Sequence, residues 1–302
     1  MFNKLIVSMV PIMPKSIVWA IGKKYIAGLT LNDAVQYTKE LNNNGSETTI
    51  DVLGEFVTEI ERAIKERDAS LNVLETIYNE KLTSYLSIKP TSNGLGIDFN
   101  FGYENIKMLV DKAKQLNLFC RLDMENSPYT DITLKVYRKL VEEGYDNCGV
   151  VLQSYLKRTY SDIETLLPLK PNIRLCKGIY IESPDIAYKD KDDIRNNYKK
   201  CLQLIIDNVP NGAFPEIATH DEQLLQFVEH LVLEKGLTSD QYTFAMLLGV
   251  RDERRKKLVS AGHRMVVYTP FGEDWYGYST RRMKENPEIA GHVFKAMLGF
   301  NK

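Results

Sequence analysis

Short apolar runs with period-two character alternate along this chain with longer stretches whose apolar residues recur every three or four positions. The first pattern marks half-buried or buried strands and the second marks amphipathic helices. Strands are predicted at Thr49–Leu53, Ser84–Lys89, Leu118–Asp123, Gly149–Gln153, Ile173–Lys177, Glu216–Thr219, Thr243–Leu247 and Arg264–Tyr268. Helical patterns lie between them, among them Glu55–Tyr78, Gly102–Leu116, Thr130–Glu143, Asp192–Asn208 and Asp221–Glu234. Tyr276–Glu285 and Pro287–Leu298 follow the last strand. Eight strands, most followed by a helix, predict an α/β fold of the (βα)8 TIM type. A doubly wound sheet fits fewer strands, and no G-x-G-x-x-G follows any of them.

The first 47 residues read differently. Residues 5–21 are apolar, but Pro11, Pro14 and Lys15 interrupt them, and the stretch is shorter than the roughly 20 residues of a spanning helix. It reads as helices packing on the body, with a membrane-touching arm as the alternative. The turn Asn42-Asn43-Asn44-Gly45-Ser46 divides an N-terminal helical arm, residues 1–47, from a barrel, residues 48–302.

Composition narrows the function. A net charge of −1 argues against a non-specific nucleic-acid binder. Cys120, Cys148, Cys176 and Cys201 are far apart, giving neither a metal-site spacing nor a disulfide framework. They read as small buried hydrophobes in a reduced, cytoplasmic setting.

Charge is concentrated at the strand C-termini, where barrels carry their chemistry. Glu55, Lys89, Asp123, Gln153, Arg174, Lys177, Thr219, His220 and Tyr268 fall there. Buried polar groups are costly unless they pair or bind something, so these positions predict a polar mouth. Cations outnumber acids, which points to an anionic ligand. After the last strand, Trp275-Tyr276-Gly277-Tyr278-Ser279-Thr280-Arg281-Arg282 reads as a helix start with two adjacent arginines. The helix dipole disfavours cations there, so a bound carboxylate gripped by the guanidinium forks accounts for the pair. A solvated basic pair on a surface helix is the plainer alternative.

Several of these segments resemble proline dehydrogenase. They are Leu86-Ser87-Ile88-Lys89, Arg121-Leu122-Asp123-Met124-Glu125, Gly149 to Gln153, Arg174-Leu175-Cys176-Lys177-Gly178-Ile179-Tyr180, Ala218-Thr219-His220-Asp221, and Tyr268 to Gly272 with Tyr278, Arg281, Arg282 and Glu285. The resemblance runs in order from about residue 25 to 300 and is to the short, monofunctional bacterial form. It implies a distorted (βα)8 barrel holding FAD non-covalently. The implied reaction is hydride transfer from C5 of L-proline to flavin N5, giving Δ1-pyrroline-5-carboxylate, with a membrane quinone as electron acceptor and peripheral contact with the inner face of the cell membrane. By the same resemblance Arg281 and Arg282 clamp the substrate carboxylate, with Lys89 beside it and Asp123 next to Lys89. Leu175, Tyr180, Tyr268 and Tyr278 wall the ring. Arg174 lies near flavin N5, with Glu285 as its ion-pair partner. Gln153, Lys177, Gly178, Thr219 and His220 contact the flavin and its tail.

The chain departs from the family pattern at Thr243 and Ala245, where a glutamate and a glutamine are usual, and at Ile179 and Ile181. Two other readings remain open at this point: a flavin barrel of the folate reductase kind, using NADH, and a flavin-free barrel that only binds.

Overall fold

The computed structural model describes residues 15–285; of Ile17, Ile21 and residues 281–285 it describes the backbone alone. Eight strands, β1 Glu47–Val52, β2 Ser84–Ile88, β3 Cys120–Leu122, β4 Cys148–Gln153, β5 Asn172–Cys176, β6 Phe214–Ala218, β7 Thr243–Leu247 and β8 Met265–Phe271, pair in sequence order. All neighbours are parallel, and β8 returns to β1, closing the barrel. The helices are α1 Lys15–Gly22, α2 Leu31–Asn43, α3 Ile60–Asn79, α4 Phe99–Gln115, α5 Thr130–Glu142, α6 Thr159–Leu166, α7 Lys191–Asp207, α8 Glu222–Glu234, α9 Asp252–Ser260 and α10 Trp275–Glu285.

Strand alternation sorts side chains into two populations. Ile50, Leu86, Leu122, Val150, Ile173 and Ile217 point outward and share one fully buried core with the helices. The inward positions are largely polar. Asp51, Tyr85, Arg121, Arg174 and Glu216 are all buried there, with a small apolar plug of Tyr85, Ala245 and Val266 against Phe119 and Ala218. Burying those inward charges is tolerable only because they pair, as described below. Gly149 on β4 is needed by one of them. A Cβ at that position would overlap the Arg121 guanidinium and come 2.7 Å from the Asn172 carbonyl oxygen.

Several helix starts follow from sequence. Thr30 and Asp33 form a reciprocal capping box at α2. Asp98, Asp190 and Asp221 cap α4, α7 and α8 by accepting backbone N–H groups.

Two expectations are corrected, and two features appear that the sequence reading did not name. The helix predicted from Glu55 begins at Ile60. Residues up to Glu59 form a loop in which Phe56 has φ 55° and donates its N–H to Thr91 Oγ1, while Ser92 holds the Gly54 carbonyl. Two short helices, α6 and α9, went unnamed in the sequence reading; α6 buries Ile163 and Leu166, and of α9 only Arg255 and Leu258 are buried. Positions 281 and 282 fall in the second half of α10, not at its start, so the dipole argument does not apply to them. Finally, the helix after β8 leaves the barrel wall. The place between β8 and β1 is filled by α2, from before the first strand, while α10 packs against α1. Backbone bonds from Ala27 N–H to Pro270 O and from Gly272 N–H to Gly28 O tie the segment before α2 to the end of β8. The predicted helix at Pro287–Leu298 lies outside the described residues.

The tight passage at Gly149 gives a stability prediction. Gly149→Ala should lose about 1–3 kcal/mol through overpacking. Gly277→Ala, on the exposed side of α10 with nothing within 4 Å of the new methyl, should be neutral or gain up to about 1 kcal/mol. Urea unfolding of both variants checks this, and equal midpoints would show that Arg121 does not fill the interior as described.

Candidate active site

The C-terminal ends of the strands open into a cavity of about 560 Å³. Its floor is the charged interior of the barrel. Its roof is α10 with α1 and the turn after it: Tyr278 packs with Tyr25, Ile26 and Leu53, flanked by Trp19 and Trp275. The two tryptophans meet edge to face at 4.8 Å, and α1 approaches so closely that a side chain on Gly22 would strike Ser279.

Lys89, Asp123, Gln153, Arg174, Lys177, Gly178, Tyr180, Thr219, His220, Tyr268 and Tyr278 all line this one cavity. Leu175 does not. It is fully buried on the outward face of β5, in the core shared with the helices. Strand alternation forces this, because Arg174 and Cys176 on either side face in. The side chains of Arg281, Arg282 and Glu285 lie outside the described residues; their backbone continues the helix that carries Tyr278.

Lys89 is buried and clasped by three groups. It donates to Asp51 and to Tyr268 Oη at 3.0 Å, and lies 3.8 Å from Asp123 Oδ2. Tyr268 donates its hydroxyl proton to Asp123 Oδ2 at 3.0 Å. Burial opposes the charge on Lys89, but Asp51 and Asp123 overcome it and hold the ammonium above its ordinary range. Burial pushes Asp51 up to about 6 against the pull of Lys89.

A second cluster lies deeper. Arg174 donates from Nε to Glu216, from Nη2 to Tyr85 Oη at 2.8 Å and from Nη1 to Asp123 Oδ1 at 3.3 Å. Glu216 also accepts from Tyr85 at 2.6 Å and from Arg121 at 2.8 Å. Burial disfavours the Glu216 carboxylate, yet Arg121 and Arg174 hold it down to about 2. Its stabilising effect is therefore complete above the ordinary carboxylate range and fades only as pH falls toward 2.

The far wall is suited to a planar group with a polar edge. The Gln153 amide donates to Met124 O at 3.1 Å, and its buried Oε1 has no partner among the described residues. Gly178 has φ 102°, and a Cβ there would run into the Tyr155 ring, so only glycine lets this backbone line the cavity. Lys177 pairs with Asp221, which Arg195 also holds. The Leu247 N–H donates to His220 Nε2 at 2.9 Å, which leaves the ring proton on Nδ1. Ala245 lines the same wall with a methyl.

Sequence reading missed Asp51, Tyr85, Arg121 and Glu216 as parts of the site. Glu125 belongs with them: it lines the cavity, accepts from Thr91 N–H at 2.8 Å and from the Thr91 hydroxyl, and is pushed up to about 7 by burial. The available signal was parity. Arg121 lies two residues before Asp123, so on a strand both face the same way.

The chain matches the proline dehydrogenase family over residues 34–295. It is 38% identical over 274 residues to proline dehydrogenase 2 of Bacillus subtilis, covering 91% of this chain and 89% of that protein. It is 37% identical over 284 residues to proline dehydrogenase of Deinococcus radiodurans, covering 93% and 91%. Among solved structures, proline utilization A from Bdellovibrio bacteriovorus superposes with a TM-score of 0.85 at 21% identity, over 95% of this chain and 36% of the longer one, a likeness of fold. With a closed eight-stranded barrel and a charged cavity at the ends of its strands, the chain belongs to the proline dehydrogenase family of oxidoreductases.

Proposed function

We propose that this cavity binds FAD and L-proline together and oxidises proline at C5 to Δ1-pyrroline-5-carboxylate, the first step of proline catabolism to glutamate, with a membrane quinone taking the electrons. The observation that carries the reading is the Lys89–Asp123–Tyr268 cluster, set beside Arg174 on the cavity wall. It offers a fixed cation to a carboxylate and aromatic surface to an apolar ring in one place.

The unpartnered Gln153 acceptor, the glycine-only backbone at Gly178 and the cationic Lys177 fit a flavin dinucleotide. Gln153, Arg174 and Gly178 would hold its ring edge, and Lys177, Thr219 and His220 its phosphate, ribose and adenine. When bound, a flavin supplies the hydride acceptor and afterwards passes two electrons to the quinone. The methyl of Ala245 offers this wall no hydrogen bond, so ring recognition rests more heavily on Gln153.

The protein's own part is binding, orientation and exclusion of water. Lys89, fixed by Asp51, meets the substrate carboxylate from below. Arg281 and Arg282 follow Tyr278 by three and four residues in α10, the spacing that repeats a helix face; by the family resemblance they would clamp the carboxylate, with Glu285 as the ion-pair partner of Arg174. Tyr180, Tyr268 and Tyr278 wall the ring. Hydride leaves a secondary amine readily only when nitrogen is unprotonated, so the site must hold the substrate with its amine in that form. Tyr25 and Tyr278 cover part of the cavity with aromatic surface. A quinone acceptor is lipid-borne, so turnover requires peripheral contact with the inner face of the membrane. Among the described residues no helix is long and apolar enough to cross one.

The purified protein should be yellow, bleach anaerobically with L-proline and release its flavin on unfolding. A colourless protein that takes up no FAD, or one reduced by NADH and not by proline, would overturn the reading.

Asp51→Asn and Lys89→Met should each lower kcat/KM for proline about 10- to 100-fold, the size of a lost hydrogen bond to a charged group. The double variant should be little worse than Lys89→Met, because the two residues act as one unit. Additive losses would separate Asp51 from the substrate site.

Tyr278→Ser should narrow the preference for L-proline over trans-4-hydroxy-L-proline, chiefly by harming proline. An apolar wall rejects an added hydroxyl by only about 10²-fold, so the wild-type preference is moderate. An unchanged ratio of kcat/KM values would remove Tyr278 from the ring wall.

A further inference from the structure

Glu216 is 1% exposed and does not reach the cavity, so it touches neither ligand. Nevertheless it makes the closest ion pair of Arg174, the cation on the cavity floor. Tyr85 bridges the two, accepting from Arg174 Nη2 and donating to Glu216. Arg121 closes the far side of Glu216 and is itself anchored on Asn172, at 2.9 Å to its carbonyl and 2.7 Å to its side-chain oxygen.

Three charges buried this way are an expensive filling. Other barrels fill the same space with branched apolar side chains, and apolar replacement of a buried ion pair or triad is often neutral or stabilising. Stability alone therefore gives weak reason for Glu216. Its geometry gives a better one. Arg174 has two carboxylates within reach and makes its tight contact with Glu216, leaving only a 3.3 Å contact to Asp123. Asp123 can then accept from Tyr268 and stand near Lys89. Without Glu216, Arg174 would draw Asp123 away from that cluster. Charge accounting leads the same way. Arg121, Glu216, Arg174, Asp123, Lys89 and Asp51 alternate in sign and sum to zero, and each salt bridge along the series is 3.8 Å or shorter.

We propose that Glu216, bridged by Tyr85, is a positioning residue for Arg174 and sets how much positive charge the cavity floor presents to the redox group. The proposal rests on the flavin reading above. A flavin gains negative charge on reduction, so a nearby uncompensated cation stabilises the reduced form by direct Coulomb attraction. Removing the charge of Glu216 leaves the series at +1, and removing that of Arg121 leaves it at −1. The two substitutions must therefore move the flavin in opposite directions.

The test is the flavin midpoint potential of the purified holoenzyme, measured by equilibrium titration with reference dyes, in wild type, Glu216→Gln and Arg121→Met. The expected result is a higher potential in Glu216→Gln and a lower one in Arg121→Met. The shift should be smaller in Arg121→Met, because Arg121 stands one pair further from the cavity. Thermal unfolding is followed in parallel. If the unfolding temperatures fall while both potentials stay at the wild-type value, or if both potentials move in one direction, the pairs only hold the barrel together and the proposal is wrong. Should Glu216→Gln fail to fold, the sign of the Arg121→Met shift decides. Wild-type protein that carries no flavin would instead defeat the flavin reading itself, a result distinct from a flavin whose potential ignores these residues.

Discussion

The interior of this barrel holds more charge than a closed ring of eight strands ordinarily encloses, and that charge must cancel. An isolated ion in such a place would cost several kcal/mol of solvation. Here cations and carboxylates alternate from Arg121 on β3 to Asp51 on β1, each within reach of the next. Much else follows from that requirement. The strand register must bring Arg174 opposite Glu216. Position 149 must lack a side chain. Tyr85 must reach across the barrel to share its hydroxyl. The upper end of the series emerges as a floor where Lys89 and Arg174 already have their counter-charges in place.

The roof has the opposite character. A barrel closed on its outside by eight following helices would leave its mouth open to water. This chain supplies the outer helix between β8 and β1 from before the first strand, and α10 packs on α1 and brings Tyr278 to the cavity. Trp19, Tyr25, Trp275 and Tyr278 make that cover apolar. A charged floor beneath an aromatic roof suits a small zwitterion whose carboxylate and ring need different surroundings. The same enclosure lowers the local dielectric, so the fixed charges of the floor act more strongly than they would in water.

Legibility varied with the kind of signal. Strand existence and order were readable because alternation and run length are local properties, and boundaries moved by only a few residues. Lys89, Asp123, Arg174 and Tyr268 were readable because a polar residue at the end of an apolar run is conspicuous. Asp51, Arg121 and Glu216 sit inside strands, where a single charge looks like a solvated edge. Only the closed barrel shows that they face one another. Leu175 was misplaced for a related reason, since adjacency to Arg174 in sequence means the opposite face in a strand. The start of α10 was legible to within one residue, and Arg281 and Arg282 lie six and seven residues into it.

What the sequence determined by itself is the class of fold, the order of its elements and the gathering of charged residues at the strand ends. These follow from periodicity and from charge at strand ends, which need no knowledge of partners distant in the chain. Tertiary structure alone decided which carboxylate holds which cation. Lys89 is clasped by Asp51, 38 residues away, and Arg174 by Glu216, 42 residues away. It also decided that a helix from before the barrel takes the place of the last one. Both depend on closure, which brings β8 back to β1 and all inward side chains to a common axis, and closure is a property of the whole ring.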